Sequence, residues 1–475
     1  MTRLISDALE DVRRAARFGF LVSSERTVGG KLGWRRIEIG GLAIWSHPEC
    51  SARELFGHGW SAVVLGEIYV AHGASSVEVL VERLAEAGDV SGLDRLGGRF
   101  AIVVSGPPGC RVFHDAFGSR SVYYRPGECF AASSHSSLLA HVFGDGVDES
   151  AVSYRESPEY SQRGTSYLPG DRTMYRGIYA LIPNNYYDVD RQRTVRYWPR
   201  DPLQLGGVGE FYEACDEYFV RTSEFLHGRY TALLGLTGGV DARSLIAGLR
   251  WAGTEARFFT WKGGRVVQEE LPLIEAISRH IGWPHTFVDI GRRTPEALEP
   301  SMRRVTALAT GHSRGPSALT ANMSQVVQRS DVFLRGYGGE IIRGFYNRHN
   351  RAIESRTPEE LTSIYLTRRV VSPSRPFLNF AVEAFQGFLE RANFGADFHG
   401  RDPLDIFYWE HRMGTWGSVM LNEMDPVVYS MAGLNSRTLY DVAFSIPASE
   451  RLGTELMLDL VAHYDGQLAK VGVVS

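Results

Sequence analysis

Residues 230–250, YTALLGLTGGVDARSLIAGLR, leave this chain few ways to fold. An apolar run of strand length, Ala232 to Leu236, stops at Thr237, Gly238 and Gly239; from Ala242 the text reads as a helix with Leu245, Ile246 and Leu249 on one face. A strand running straight into a helix belongs to a parallel sheet, because parallel neighbours need a crossover and a helix supplies it. In such sheets the ligand lies beyond the strands' C-terminal ends, where this turn sits. Glycines there let backbone N–H groups approach a guest without a Cβ in the way, and with the helix N-terminus they suit an anion, phosphate above all. Asp241, in the first helical turn, either caps the helix or, beside bound phosphates, shares a divalent cation with them.

The pattern recurs at 331–346, DVFLRGYGGEIIRGFY, with an apolar strand, Gly336, Gly338 and Gly339 in the turn, and Glu340 entering a helix. Two acids just past two parallel strands suit one Mg2+ held on a triphosphate. Each turn also stands alone as an ordinary glycine-rich connection.

The rest of the chain divides by texture. Up to about residue 200, stretches such as SAVVLGEIYVA and GRFAIVVSG alternate between Gly, Pro and Asp clusters, which predicts antiparallel sheet, with a helix at SSVEVLVERLAEAG. From about residue 209, long amphipathic segments alternate with short apolar runs. The Pro- and Gly-rich YWPRDPLQLGGVGE between them places the boundary, giving domains 1–203 and 204–475.

Composition removes several function classes. With 475 residues and 44% hydrophobic content the chain builds a large core. Its 51 basic and 55 acidic residues are mixed, with a net charge of −4, so no basic block points to nucleic acid. No apolar stretch reaches membrane-spanning length, the N-terminus lacks a signal-peptide core, and the four cysteines form no CxxC pair. The expectation is a soluble cytoplasmic protein, with neither nucleic acid nor membrane as partner.

LTGGVDARSL resembles the pyrophosphate loop of ATP pyrophosphatases, and RGYGGEIIRGFY resembles the second loop of the asparagine synthetase and β-lactam synthetase superfamily, which includes lasso peptide cyclases. AVVLGEIY, GRFAIVVSG, FHDAFGSRSVYY and LPGDRTMYRGIYALIPNNYYDVD follow the layout of its amidotransferase-like N-terminal domain. The resemblance implies an α/β protein: an N-terminal α+β, Ntn-type antiparallel domain, and a C-terminal parallel-sheet synthetase domain of the adenine nucleotide alpha hydrolase type. It implies ATP and Mg2+ as cofactors, and a ligase that adenylates a carboxylate and passes it to an amine. The substrate is then a small molecule or peptide bearing both groups, and partner proteins of a biosynthetic cluster are expected.

By position, the resemblance gives Leu236, Thr237, Gly238, Gly239, Gly336 and Gly338 to the nucleotide phosphates, Asp241 and Glu340 to the metal, and Thr260 and Trp261 to the nucleotide pocket. Glu270 falls where an acid opens the next helix. Tyr337 matches a tyrosine that works with a glutamate to deprotonate the attacking amine. Glu410 is the candidate partner, unless it only pairs with Arg412 or meets solvent. Lys470, in LAKVGVVS, matches a lysine that supports adenylate transfer, with Lys262 as substitute.

The departures are informative. Residue 2 is Thr where glutamine-dependent members carry cysteine, no RGPD motif follows, and the first 19 residues read as a helix, so glutaminase activity is not expected. Ala242 replaces a serine, and Arg243 is the candidate phosphate clamp in compensation. The alternatives are a glutamine-hydrolysing asparagine synthetase and a non-catalytic nucleotide-binding homologue. Substrate specificity is expected from 309–322 and 370–385.

Overall fold

In the computed structural model, which describes residues 2–263, 265–289, 299–315, 317–347, 352–366 and 369–472, the change of texture is a change of sheet. Strands up to residue 196 build two six-stranded antiparallel sheets. One runs Tyr179–Ala180, Tyr123–Arg125, Ala131–Ser133, Phe20–Ser23, Leu42–Ser46, Arg35–Ile39; the other runs Arg193–Arg196, Asn185–Asp188, Gly109–His114, Leu96–Gly106, Trp60–Val70, Ala52–Gly57. Val22 and Ile44 of the first and Val63, Leu65, Val103 and Val112 of the second share one buried core. The period-2 alternation in the sequence is this sandwich's inner face.

The second half forms one five-stranded sheet in the order His285–Asp289, Ala256–Lys262, Thr231–Gly235, Asp331–Arg335, Tyr429–Ala432, with every pairing parallel. The chain leaves Thr231–Gly235 through the helix Val240–Trp251 toward one edge and later returns to its other side as Asp331–Arg335. Crossovers therefore diverge between these two neighbouring strands, and divergence opens a crevice at their C-terminal ends. Both glycine-rich turns lie at that switch point.

The halves meet through buried polar contacts. Arg99 forks onto Asp425 at 2.5 and 2.8 Å and reaches Asn422 at 2.8 Å, all three residues fully buried or nearly so. The expected N-terminal helix forms at Thr2–Ala15, and it crosses to the second half, where Asp11 accepts from Arg304 at 2.6 Å beside the helix Pro300–Ala309. Residue 2 thus opens a helix rather than a strand of the sandwich. All four cysteines are free. Among the described residues no helix is long and apolar enough to cross a membrane.

Candidate functional site

The two turns interlock. A Cβ on Gly336 would lie 3.1 Å from the Ala242 nitrogen, so the second loop crosses directly over the start of the helix Val240–Trp251. One on Gly339 would come within 2.5 Å of Asp241 Oδ1. Gly338, at φ +105°, places its Cα where a Cβ would meet the Leu434 carbonyl at 2.0 Å, so only glycine serves there. Three glycines that read as turn residues thus let one acidic loop rest on the other.

Asp241 and Glu340 converge as a result. Burial first, and then the charge of Asp241, push the Glu340 carboxyl above the usual carboxylate range; a hydrogen bond donated by Tyr408 and the charges of Arg412 and Arg343 oppose the rise. Asp241 is held by Arg343, whose Nε and Nη2 donate to its two oxygens at 3.0 Å each. Two close carboxylates suit a hard cation that keeps water and takes its remaining ligands from phosphate. Among the described residues no third acid, histidine or cysteine joins them. The donor set fits Mg2+ arriving with a nucleotide, once Arg343 releases Asp241. The free protein is accordingly expected to bind Mg2+ negligibly without nucleotide, and Arg343→Met to gain measurable affinity in a calorimetric titration. Tight Mg2+ binding by the unaltered protein alone would refute the blocking role of Arg343.

Around the first turn the structure corrects several expectations. Thr237 is exposed and Gly238 is buried. The Gly238 N–H donates to Glu270 Oε2 at 3.0 Å, and the Gly239 N–H to Thr237 Oγ1 at 3.3 Å. An oxyanion does sit on the turn, and it is this chain's own carboxylate, on the helix Arg265–Ile281. Arg243 is no phosphate clamp: its guanidinium is buried, and it donates to the carbonyls of Val471 at 2.5 Å and Gly472 at 2.6 Å, and to Gly238 at 3.3 Å. It pins the C-terminal tail onto the turn. Lys470 is exposed one residue before that clasp, on a segment the clasp draws toward the Thr237–Gly239 turn. The Leu236 N–H is engaged by the Phe259 carbonyl, and the Thr260 hydroxyl donates to the Leu236 carbonyl at 2.8 Å, with His285 Nε2 at 3.0 Å, so neither offers a free polar group to a nucleotide. Trp261 is half-buried with its Nε1–H unpartnered among the described residues, and its ring meets Phe259 edge-on. Lys262 is exposed, 5.3 Å above the Phe287 ring, and remains apart from both acids' ion pairs.

Glu410 is also corrected. It pairs neither with Tyr337 nor with Arg412: both oxygens are taken by Arg196, at 2.6 and 2.7 Å, and Asn184 donates to it at 2.9 Å. Fully buried, it ties the wide π-type helix Tyr408–Gly417 to the strand Arg193–Arg196 of the first half. These three hydrogen bonds hold the carboxylate as a tie between the two halves.

The surroundings of Tyr337 come from residues the sequence did not single out. Its ring stacks on Phe117, 5.7 Å away, lies 5.9 Å from Trp416, and carries the Arg335 guanidinium at 4.7 Å. Its hydroxyl has no hydrogen-bond partner among the described residues. Burial pushes this phenol up, the charges of Glu340 and Glu423 add to that, and Arg335 and Arg314 oppose them. Glu423 is buried, 3.5 Å from Arg314, and its Oε1 has no hydrogen-bond partner among the described residues. It is the carboxylate in electrostatic reach of Tyr337 that Glu410 is not. Arg314 comes from the expected specificity segment 309–322, whereas in 370–385 Phe385 packs on Phe407 and His411 instead. The four-residue spacing of Tyr408, Arg412 and Trp416 was the available signal for this wall; Phe117, from the other half of the chain, carried none.

Against known proteins, residues 66–198 match the family profile of a glutamine amidotransferase domain. No curated relative matches the chain. Similar solved structures include a glutamine-dependent NAD+ synthetase from Acinetobacter baumannii with ADP (14% identity, 35% of this chain and 39% of that one, TM-score 0.17) and an NMN synthetase from Francisella tularensis (12%, 44% and 94%, 0.22). A glutamine phosphoribosylpyrophosphate amidotransferase from B. subtilis with ADP and GMP is 13% identical over 73% of this chain and 74% of that one, at a TM-score of 0.22. The chain thus spans 39% of the NAD+ synthetase's length.

Proposed function

We propose that this protein is an ATP- and Mg2+-dependent amide-bond-forming ligase that joins a substrate carboxylate to an amine, without glutaminase activity. The observation that carries the reading is the meeting of Asp241 and Glu340 from two neighbouring parallel strands, at the crevice where crossovers diverge, with Tyr337 beside them. ATP would supply an activating AMP group for the carboxylate, and Mg2+ would offset the charge of departing pyrophosphate.

The chain's own residues then have separable tasks. The Gly238 and Gly239 amides and the N-terminus of Val240–Trp251 receive phosphate oxygens once Glu270 withdraws. Arg343, freed from Asp241, remains beside that charge as a guanidinium donor. Arg243 keeps the tail, and with it Lys470, over the same turn. The Tyr337 oxygen takes the proton of the attacking amine as its own phenolic proton leaves toward Glu423, because a buried phenol does not ionise near neutral pH without an accepting carboxylate. Phe117 gives the first half a part in this site: it is one of its walls.

A macrolactam- or β-lactam-forming reaction suits a chain that draws its amine from the substrate itself. Release of pyrophosphate and AMP from ATP with a carboxylate panel is the test. Release of ADP instead, or release unchanged by Asp241→Asn, would overturn the proposal. A second reading, a nucleotide-binding homologue without turnover, is favoured by one set of contacts: Arg343 on Asp241, Glu270 on Gly238 and Arg243 on the tail leave the phosphate-directed groups satisfied internally. Saturable ATP binding with no pyrophosphate release from any substrate would establish it.

A further inference from the structure

The segment 465–472 is fastened to the helix Val240–Trp251 at both ends. At the last turn of that helix, Asp465 Oδ2 accepts from Arg250 Nη1 at 2.8 Å, and it lies 2.8 Å from Nε2 of His280, in the last turn of the helix Arg265–Ile281. At the first turn, Arg243 holds the Val471 and Gly472 carbonyls. Arg243 and Arg250 lie two helical turns apart, roughly 10 Å, so the segment runs back along the helix toward the glycine turn.

Between these fastenings the chain is held in one shape. Asp465 Oδ1 accepts the N–H groups of Gln467 at 3.1 Å and Leu468 at 2.9 Å, as a helix N-cap does, and the turn Leu468–Lys470 follows. Leu468 is fully buried, Ala469 and Val471 pack against the same core, and Lys470 is left exposed between them. One carboxylate thus serves two purposes. Oδ1 shapes the turn that presents Lys470, and Oδ2 ties it to the two helices whose opposite ends carry Asp241 and Glu270. Burial pushes this carboxyl up, but the Leu468 N–H, His280 and the Gln467 N–H outweigh it and hold Asp465 below the usual carboxylate range. It stays charged, and a charged acceptor makes the stronger hydrogen bonds.

Seating the preceding helix does not call for this acid. Glu455–Tyr464 is anchored by its buried Leu456, Met457, Leu460 and Val461. We infer that Asp465 is a positioning residue: it latches residues 465–472 as a strap along Val240–Trp251 and so holds the Lys470 ammonium at the Thr237–Gly239 turn. A cation there offsets the charge of a polyphosphate. This task of Lys470 rests on the ligase reading, whereas the latch rests on the contacts alone.

Two measurements on the full chain separate these parts. Lysine occurs only as Lys31, Lys262 and Lys470, so endoproteinase Lys-C, followed by mass spectrometry, reports on the strap through cleavage after Lys470. Asp465→Asn is expected to speed that cleavage about tenfold or more, the scale of losing hydrogen bonds to a charged group, and to leave cleavage after Lys31 and Lys262 unchanged. In calorimetric titrations with ATP and Mg2+, Lys470→Met and Asp465→Asn are each expected to weaken binding about tenfold, and the double variant no more than Lys470→Met alone. A residue that only stabilised the fold would add its own loss in that background. Cleavage after Lys470 that ignores Asp465→Asn, or that quickens equally at all three lysines, would overturn the latch. A further loss of ATP affinity in the double variant would overturn the positioning role. Failure of the unaltered protein to bind ATP would overturn the ligase reading, and the task of Lys470 with it, while the latch would stand or fall on its Lys-C result.

Discussion

Glu410→Ala is expected to destabilise the protein by about 3–5 kcal/mol, the range for removing one partner of a buried ion pair. The reason is what remains: Arg196, almost fully buried, would lose both carboxylate oxygens, and Asn184 its acceptor. Arg196 would keep only carbonyls of the 392–393 turn and Trp198, none of which carries a compensating charge. Because the pair joins the helix Tyr408–Gly417 to the antiparallel half, loss of soluble protein is the expected outward sign. Denaturant unfolding of Glu410→Ala beside Glu410→Gln checks it, the amide keeping the shape while removing the charge. A Glu410→Ala protein of unaltered stability but impaired turnover would return this residue to the chemistry and remove the structural account.

Tyr337→Phe is expected to lower amide formation by about 10²–10⁴-fold, the range for losing a positioned proton-transfer group. Pyrophosphate release should fall far less, because the hydroxyl acts on the amine and not on the phosphates. The substitution is mild in packing terms: the stack on Phe117 and the contact with Trp416 involve the ring, and the hydroxyl gives up no hydrogen bond. Glu423→Gln should produce the same split between activation and amide formation. If the two residues form one relay, the double variant should be little worse than either single one, since groups acting as a unit are not additive. Full amide formation by Tyr337→Phe would exclude it as the base. A full additive loss in the double variant would separate Glu423 from its action.

The two glycine turns show how far local pattern reaches. A strand, a Gly–Gly turn and an acid entering a helix are fixed by steric and hydrogen-bonding rules acting over a few residues. Both turns accordingly stand where the text places them, at the ends of Thr231–Gly235 and Asp331–Arg335. The helix Thr2–Ala15 and the alternating strands were legible for the same reason. Even the convergence of Asp241 with Glu340 follows once both strands are parallel and adjacent.

Partner choice was not legible. Glu410, Arg243 and Thr260 were assigned by position toward the ligand, and each is turned to another task by a group distant in sequence: Arg196, the tail at 471–472, and the Leu236 carbonyl. Glu423 and Phe117 reach Tyr337 from 86 positions after it and 220 before it in the chain. A charged side chain pairs with whatever opposite charge folding brings within a few ångströms, and no local periodicity encodes that choice. The sequence by itself determined the strands, the turns and the acids they carry; the tertiary structure decided which acid is bound by which arginine, because only folding brings opposite charges from distant positions within reach.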